Sequence, residues 1–170
     1  MTIPLDPSLV FDRFIVGPAN RVAAAAALRA AEAPGRSYNP LVISGPAGVG
    51  KTHLMMAIGQ RARLLDPELL VHYEPVDAFV DRLTTTLAGG TLEDFRAASA
   101  GVDLFLLDGL AGVAGKSRTQ EELLRLIGEL VDRGAQLVVA SEAPPTEVPA
   151  LDPQLVERLA GGLNVELAPL

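Results

Sequence analysis

Residues 41–52, LVISGPAGVGKT, decide the fold, because an apolar run passes there into a glycine-rich turn and then into a helical pattern. The pattern G-x-x-x-x-G-K-[ST] is met by Gly45, Gly50, Lys51 and Thr52. A strand, a glycine loop and a helix in this order are the context in which that pattern forms a phosphate-binding loop. The alternative, a Gly/Pro-rich turn that matches by chance, is expected about 0.001 times in a chain of this composition.

The residue types of this loop suit a polyphosphate. Glycines leave the backbone N–H groups unobstructed and allow positive φ angles, and the helix that follows adds unpaired N–H groups and the positive end of its dipole. We expect Lys51 to reach the β- and γ-phosphates and the Thr52 hydroxyl to ligate Mg²⁺. The predicted nucleotide contacts of this segment are Pro46, Ala47, Gly48, Val49, Gly50, Lys51, Thr52 and His53. For His53 the alternative is packing or support beside the site.

Composition indicates one domain with a sizeable core, since 49% of the 170 residues are hydrophobic. No apolar run reaches about 18 residues, and no basic region precedes an apolar core at the amino terminus, so neither a membrane span nor a secretory signal is predicted. Without cysteine, disulfides and thiolate metal sites are excluded, and a cytoplasmic location is expected. A net charge of −7 argues against bulk nucleic-acid binding, so any DNA contact needs a local basic patch.

Apolar runs alternate with helical patterns along the chain, which predicts a parallel sheet covered on both faces. The predicted strands are residues 41–43, 69–73, 102–108, 136–140 and 163–167. The predicted helices are residues 20–33, 51–65, 76–87, 91–100, 119–133 and 155–159, with an extended arm over residues 1–18 and a loop over 111–118. We expect Asn20 to cap the first of these helices, and Thr119 with Glu122 to form a capping box on the fifth.

Asp108 stands at the end of the apolar run LFLLD, where a phosphate-loop protein needs a carboxylate to hold Mg²⁺. The alternative is an exposed strand-end aspartate without a partner. The next residue is Gly109, whereas many hydrolysing relatives have an acid there to orient the attacking water. Because losing a general base costs about 10²–10⁴ in rate, we expect slow hydrolysis unless Glu142 or a partner supplies the group.

Longer stretches of the chain resemble the AAA+ core of the bacterial replication initiator family DnaA, and the regulatory relative Hda is also similar. The stretches are FDRFIVGPANRVAAAAALRAAEAPGRSYNPL, GKTHLMMAIG, KSRTQEE and ASEAPPTEVPAL, and the resemblance covers nearly the whole chain. It implies an α/β fold, an AAA+ P-loop NTPase core with a five-stranded parallel sheet flanked by helices. Residues 1–170 would be one domain, with an arm and helix over 1–36 and the core over 37–170, without the family's helical lid and helix-turn-helix domain.

The resemblance also implies residue roles, with ATP or ADP and Mg²⁺ as cofactors. The adenine side of the pocket would be lined by Phe14, Ile15, Val16 and Asn20. The catalytic set would be Lys51, Asp108, Glu142 as a sensor acid, and Arg158 as an arginine finger toward the nucleotide of a neighbouring subunit. Single-stranded DNA would contact Val80, Lys116 and Arg118. The alternatives are a surface arginine for Arg158 and a solvated loop for Lys116 and Arg118.

Two functional hypotheses remain open. The first is an ATP-switched core that self-associates through Arg158 in replication initiation or its regulation. The second is a diverged regulator that binds nucleotide statically and acts through replication or regulatory proteins. It would bind neither DNA nor a membrane. Lys51, Thr52 and Arg158 favour the first hypothesis. The second is favoured by Gly109, by the acidic charge, and by Gln154, which stands where the family has an arginine. A metabolic kinase is a distant third, since nothing resembles an acceptor site.

Overall fold

Five parallel strands form one sheet in the computed structural model, which describes residues 4–169. The strands are β1 (Leu41–Ser44), β2 (Val71–Pro75), β3 (Leu104–Asp108), β4 (Gln136–Ser141) and β5 (Leu163–Glu166), in the spatial order β2-β3-β4-β1-β5. The helices are α1 (Arg21–Glu32), α2 (Lys51–Leu65), α3 (Val76–Gly89), α4 (Leu92–Ala97), α5 (Ser117–Asp132) and α6 (Pro153–Ala160). The predicted α/β class and five-stranded parallel sheet are confirmed. Residues 1–3 of the predicted arm and residue 170 of the predicted domain lie outside the described residues.

Alternate residues of the central strands point into two separate cores. In β3, Leu104 and Leu106 pack with α1 and α2 on one face, whereas Phe105 and Leu107 pack with α3, α5 and α6 on the other. All four side chains are fully buried, and each such burial stabilises the fold by about 1.5–3 kcal/mol. This two-sided burial explains why the strands are continuous apolar runs rather than alternating patterns.

Helix α5 begins two residues before the predicted start, and the predicted capping box is wrong. Its N-cap position is Lys116, without a side-chain capping bond, and Thr119 and Glu122 lie buried inside the helix. The Glu122 carboxylate is bound by Arg96 of α4 and Arg125 of α5, each at 2.8 Å. The hydrogen bond from Arg96 holds the pKa of Glu122 below its ordinary value against the opposing effect of burial, and Arg125 adds to it. The carboxylate that the capping box would need is therefore bound by two guanidinium groups instead.

The amino-terminal segment differs from the prediction in two places. A single 3₁₀ turn, Phe11–Arg13, interrupts the predicted extended arm. Asn20 precedes α1, but its side chain does not cap the helix: its Oδ1 accepts from the Gly17 N–H at 2.8 Å, and its Nδ2 donates to the Ile15 carbonyl at 2.9 Å. The buried amide therefore fixes the bend of the arm instead of the helix end.

Smaller differences concern the ends of other elements. Strand β2 begins two residues later than predicted, and Leu70 before it is exposed. A 3₁₀ turn, Leu110–Val113, and the start of α5 fall within the predicted loop over residues 111–118. A further 3₁₀ turn is Pro145–Glu147. Within residues 4–169, no helix is both long and apolar enough to cross a membrane.

Candidate nucleotide site

The carboxyl ends of β1, β3 and β4 meet at one edge of the sheet, where the strand order reverses from β4 to β1. An open cleft of about 490 Å³ lies there. It is lined by Ala47, Gly48, Gly50, Lys51, Thr52, His53, Asp108, Gly109, Ser141 and Glu142. Ligands of open α/β sheets bind outside the carboxyl ends of the strands at such a switch point.

The loop between β1 and α2 has the backbone conformation that its glycines allow. Gly48 and Gly50 have φ angles of +83° and +100°, and a Cβ at Gly45 would lie 2.4 Å from the Leu167 carbonyl oxygen. The Lys51 ammonium donates to the Gly45 carbonyl at 2.5 Å and to the Pro46 carbonyl at 2.8 Å. The loop thus curls around a lysine side chain at the start of α2, where backbone N–H groups and a positive charge can meet an anion.

Asp108 is bound by two hydroxyl groups on the same oxygen. Its Oδ2 accepts from Thr52 Oγ1 at 2.8 Å and from the Tyr73 hydroxyl, also at 2.8 Å. Hydroxyl and carboxylate oxygens are the protein ligands that suit Mg²⁺, so Thr52 and Asp108 fit the ion that the loop pattern implies. Within residues 4–169, no group of three or more His, Cys, Asp or Glu side chains could hold a metal by itself.

Tyr73 is a member of this cluster that the sequence prediction missed. It lies in β2, beside β3, and its side chain is only 6% exposed. In an apolar run such a residue is typical of core packing, and only the pairing of β2 with β3 in the structure brings it to Asp108. Burial, the hydrogen bond to Asp108 and the charge of that carboxylate raise the pKa of Tyr73 above its ordinary value.

This raised pKa makes a testable prediction. The chain has two tyrosines and no tryptophan, so the Tyr38→Phe variant leaves Tyr73 as its sole phenol. We expect its phenolate absorbance to appear only above the ordinary midpoint of about 10, and Asp108→Asn to lower that midpoint. Because the folded state holds the proton more tightly, the contribution of Tyr73 to stability is complete below about pH 10 and is lost as the pH rises further. An ordinary midpoint in the folded protein would contradict the hydrogen bond.

Gly109 and Glu142 form the rim of the cleft beside Asp108. Gly109 has a left-handed backbone with φ +91°, and its N–H donates to the Ala140 carbonyl at 3.0 Å. Apart from Gly109 and its two neighbours in the chain, no described residue has an atom within 4 Å of a Cβ built at Gly109. Glu142 follows β4 directly and is exposed. An acidic side chain thus faces the cleft from β4, while the position after Asp108 has room for one but holds a glycine.

The predicted adenine-side residues lie next to the cleft and are joined to it through His53. The Phe14 ring meets the His53 ring edge-on with centroids 5.3 Å apart, and His53 Nε2 lies 2.8 Å from the Val10 carbonyl oxygen. Ile15 and Val16 are exposed, Ile15 by 74%, so they present apolar surface to solvent. The amide of Asn20 is occupied in holding this segment. Of the other predicted contacts, Pro46 lies on a neighbouring cleft and Val49 packs against the core.

Arg158 lies at the opposite end of the sheet from the phosphate loop. It stands near the end of α6, which runs back to the start of β5, and it shares a cleft with Asn39 and Pro40 just before β1. Its Nη2 lies 3.8 Å from Asp132 Oδ1. The side chain therefore lies away from the cleft at the phosphate loop of its own chain.

The three predicted DNA contacts lie on one side of the molecule but in mixed surroundings. Lys116 is exposed just before α5, and Arg118 pairs with Glu121 at 3.2 Å. Val80 of α3 is half-buried and packs against the core. The Leu110–Val113 turn packs on α3 near Asp77, whose Oδ1 would lie 3.2 Å from a Cβ at Gly112. An acidic group thus accompanies Arg118.

The fold and this site define a phosphate-loop domain of the AAA+ class, and comparisons narrow the class further. The family model described as the bacterial DnaA ATPase domain matches residues 5–166, and the chain belongs to that family. The chromosomal replication initiator protein DnaA of Thermomicrobium roseum is 40% identical over 165 residues, which are 97% of this chain. The chain spans 36% of the length of that relative.

Solved structures of DnaA proteins have a fold similar to that of this chain. Domain III of the Thermotoga maritima replication initiation protein DnaA superposes with a TM-score of 0.94 at 38% identity, covering 97% of this chain and 69% of that one. A replication initiator DnaA bound to AMPPCP and single-stranded DNA superposes with a TM-score of 0.91 at 36% identity, covering 96% of this chain and 50% of that one. The AAA+ fold predicted from the sequence is therefore confirmed.

Proposed function

We propose that this chain binds ATP or ADP with Mg²⁺ in the cleft at the carboxyl ends of β1, β3 and β4. The observation that carries the proposal is the convergence of Lys51, Thr52 and Asp108 around one glycine loop. Lys51 and the N–H groups of the loop bind the phosphates, while Thr52 and Asp108 hold the metal ion, which neutralises phosphate charge. The relative bound to AMPPCP supports a nucleotide as the ligand.

In our proposal, residues of the amino-terminal arm contact the adenine base. Asn20 fixes the bend from Ile15 to Gly17, which leaves the exposed side chains of Ile15 and Val16 available to an apolar base. Phe14 and His53 connect that bend to the first turn of α2. We expect the arm, the helix α1 and the core to act as one domain, because α1 packs into the same core as α2 and β1.

We further propose that the nucleotide controls self-association, as a step in the initiation of replication or its regulation. Arg158 and the phosphate loop stand at opposite ends of the sheet, so copies stacked head to tail would bring the arginine of one to the γ-phosphate of the next. A γ-phosphate then adds contacts across the interface that a diphosphate lacks, which makes nucleotide state a switch. The relatives named as chromosomal replication initiators support this process.

The test is sedimentation velocity of the chain with Mg·ATP, with Mg·ADP and without nucleotide. We expect Mg·ATP alone to produce larger species, and Arg158→Ala to abolish them while nucleotide binding by the monomer persists. Arg63→Ala is a matched control, because Arg63 is also exposed on a helix and makes no ion pair within the described residues. Larger species that survive Arg158→Ala would exclude the arginine finger.

A second candidate function is a regulator that binds nucleotide statically and works through other proteins. Gly109 and Gln154 favour it, and Gln154 is exposed in the same cleft as Arg158. Glu121, which pairs with Arg118, also favours it, because its charge weakens a contact with a DNA backbone. Single-stranded DNA remains a proposal for Lys116, Arg118 and Val80, supported by the relative bound to DNA. A monomer that ignores ATP would favour the regulator.

A further inference from the structure

The metal-binding carboxylate of the proposed site is held from two directions. Thr52 reaches Asp108 Oδ2 from the first turn of α2, and Tyr73 reaches the same oxygen from β2. Within residues 4–169, Asp108 Oδ1 has no hydrogen-bond partner. The two donors therefore share one oxygen, and the second oxygen is left for another ligand at the cleft that Asp108 lines.

We propose that Tyr73 is a positioning residue for Mg²⁺, which orients Asp108 so that Oδ1 receives the hydrated ion. This inference rests on the proposed nucleotide function. Thr52 would serve two partners at once, because its hydroxyl donates to Asp108 and would offer a lone pair to the metal. Within the described residues, the Tyr73 hydroxyl has a single partner, Asp108.

The surroundings of Tyr73 support an orienting role. Its strand is bonded to β3 in parallel register, with Tyr73 opposite Leu106 and Pro75 opposite Asp108, so the ring spans the two residues to the strand end. The side chain is buried among core residues, which restricts its motion. Hydrogen-bond partners of metal ligands fix ligand orientation, and their removal commonly lowers metal affinity by about 10–100-fold.

The test compares Tyr73→Phe with Tyr38→Phe. Both variants remove one hydroxyl without changing ring size, and the Tyr38 hydroxyl makes no hydrogen bond within the described residues. ATP binding is measured by calorimetry in EDTA and over a series of Mg²⁺ concentrations. For Tyr73→Phe we expect the Mg²⁺ concentration at half-effect to rise about tenfold or more, with ATP affinity in EDTA unchanged. Tyr38→Phe should match the unmodified chain in both.

The outcomes separate this inference from the function it rests on. Unchanged Mg²⁺ dependence in Tyr73→Phe overturns the positioning role and leaves the nucleotide site standing. An equal loss of affinity with and without Mg²⁺ also overturns it, because that pattern indicates a packing role. If the unmodified chain does not bind ATP, both the positioning role of Tyr73 and the proposed nucleotide function are wrong.

A double-mutant cycle guards against a folding artefact. In the Asp108→Asn background, Tyr73→Phe should cause no further loss of Mg²⁺ response, because the oriented carboxylate is already gone. Additive losses in the double variant would show that Tyr73 acts independently of Asp108, and would overturn the proposal.

Discussion

Replacing Lys51 by alanine is expected to lower ATP affinity by roughly a hundredfold, which is about 3 kcal/mol. The ammonium lies inside the loop, 2.5 Å from the Gly45 carbonyl oxygen and 2.8 Å from that of Pro46, where a β- or γ-phosphate would meet it. Its loss removes charge-assisted hydrogen bonds that no other side chain of the loop can make. Asp108 and Glu142 line the same cleft, so the phosphates would then face carboxylates with less compensation.

Calorimetric titration with ATP and Mg²⁺ measures this effect directly. Lys116→Ala is the matched control, because Lys116 is the only other lysine and lies on an exposed loop away from the cleft lining. We expect the control to bind like the unmodified chain. Equal affinity of Lys51→Ala and the unmodified chain would place the nucleotide elsewhere or reduce the loop to a structural turn. Equal loss in both lysine variants would indicate a general charge effect.

The sheet itself was predictable because its signal is local. Runs such as LVIS and LFLLD are continuous and apolar, and they alternate with helical patterns, which is typical of strands covered on both faces. The order of the strands was not predicted. That order depends on pairings such as Leu41 with Val138 and with Leu163, which join residues about a hundred positions apart along the chain.

Both capping predictions failed because other hydrogen bonds occupy the capping side chain. Glu122 is at the right spacing from Thr119 for a capping box, but Arg96 of another helix binds its carboxylate. Asn20 is at the right place to cap α1, but its amide is occupied by Ile15 and Gly17. The partner of Glu122 lies 26 positions away, beyond a local window of sequence, whereas both partners of Asn20 lie within five residues of it.

The phosphate loop and Asp108 were found because a motif and a strand end mark them, whereas Tyr73 carries no such mark. The Tyr73 hydroxyl bonds a carboxylate 35 positions away, and only the pairing of β2 with β3 brings them together. The direction in which the Arg158 side chain points could not be predicted from the sequence either. Its guanidinium lies over Gly128, where a Cβ would come within 2.9 Å of Nη2, and that contact follows from the packing of α6 on α5.

Replacing Gly109 by aspartate is expected to raise ATP hydrolysis by about a hundredfold or more, if the missing water-orienting acid is what limits it. The position adjoins Asp108 in the cleft, and apart from its chain neighbours no described residue lies within 4 Å of a Cβ there. The backbone angle of φ +91° favours glycine, and aspartate is among the few residues that tolerate the left-handed region. We therefore expect a loss of about 1–2 kcal/mol in stability from backbone strain, with the fold retained.

Phosphate release at saturating Mg·ATP is the measurement, and Gly109→Asn is the matched control. Asparagine tolerates the same backbone conformation and has the same size, but it cannot act as a base. Faster release by Gly109→Asp alone would show that a carboxylate at this position accelerates hydrolysis. If asparagine accelerates release equally, the change acts through the backbone or through water order. If neither variant differs from the unmodified chain, we infer that hydrolysis is limited by a group that another copy supplies. Arg158 is then the first candidate, because its side chain lies away from the cleft of its own chain.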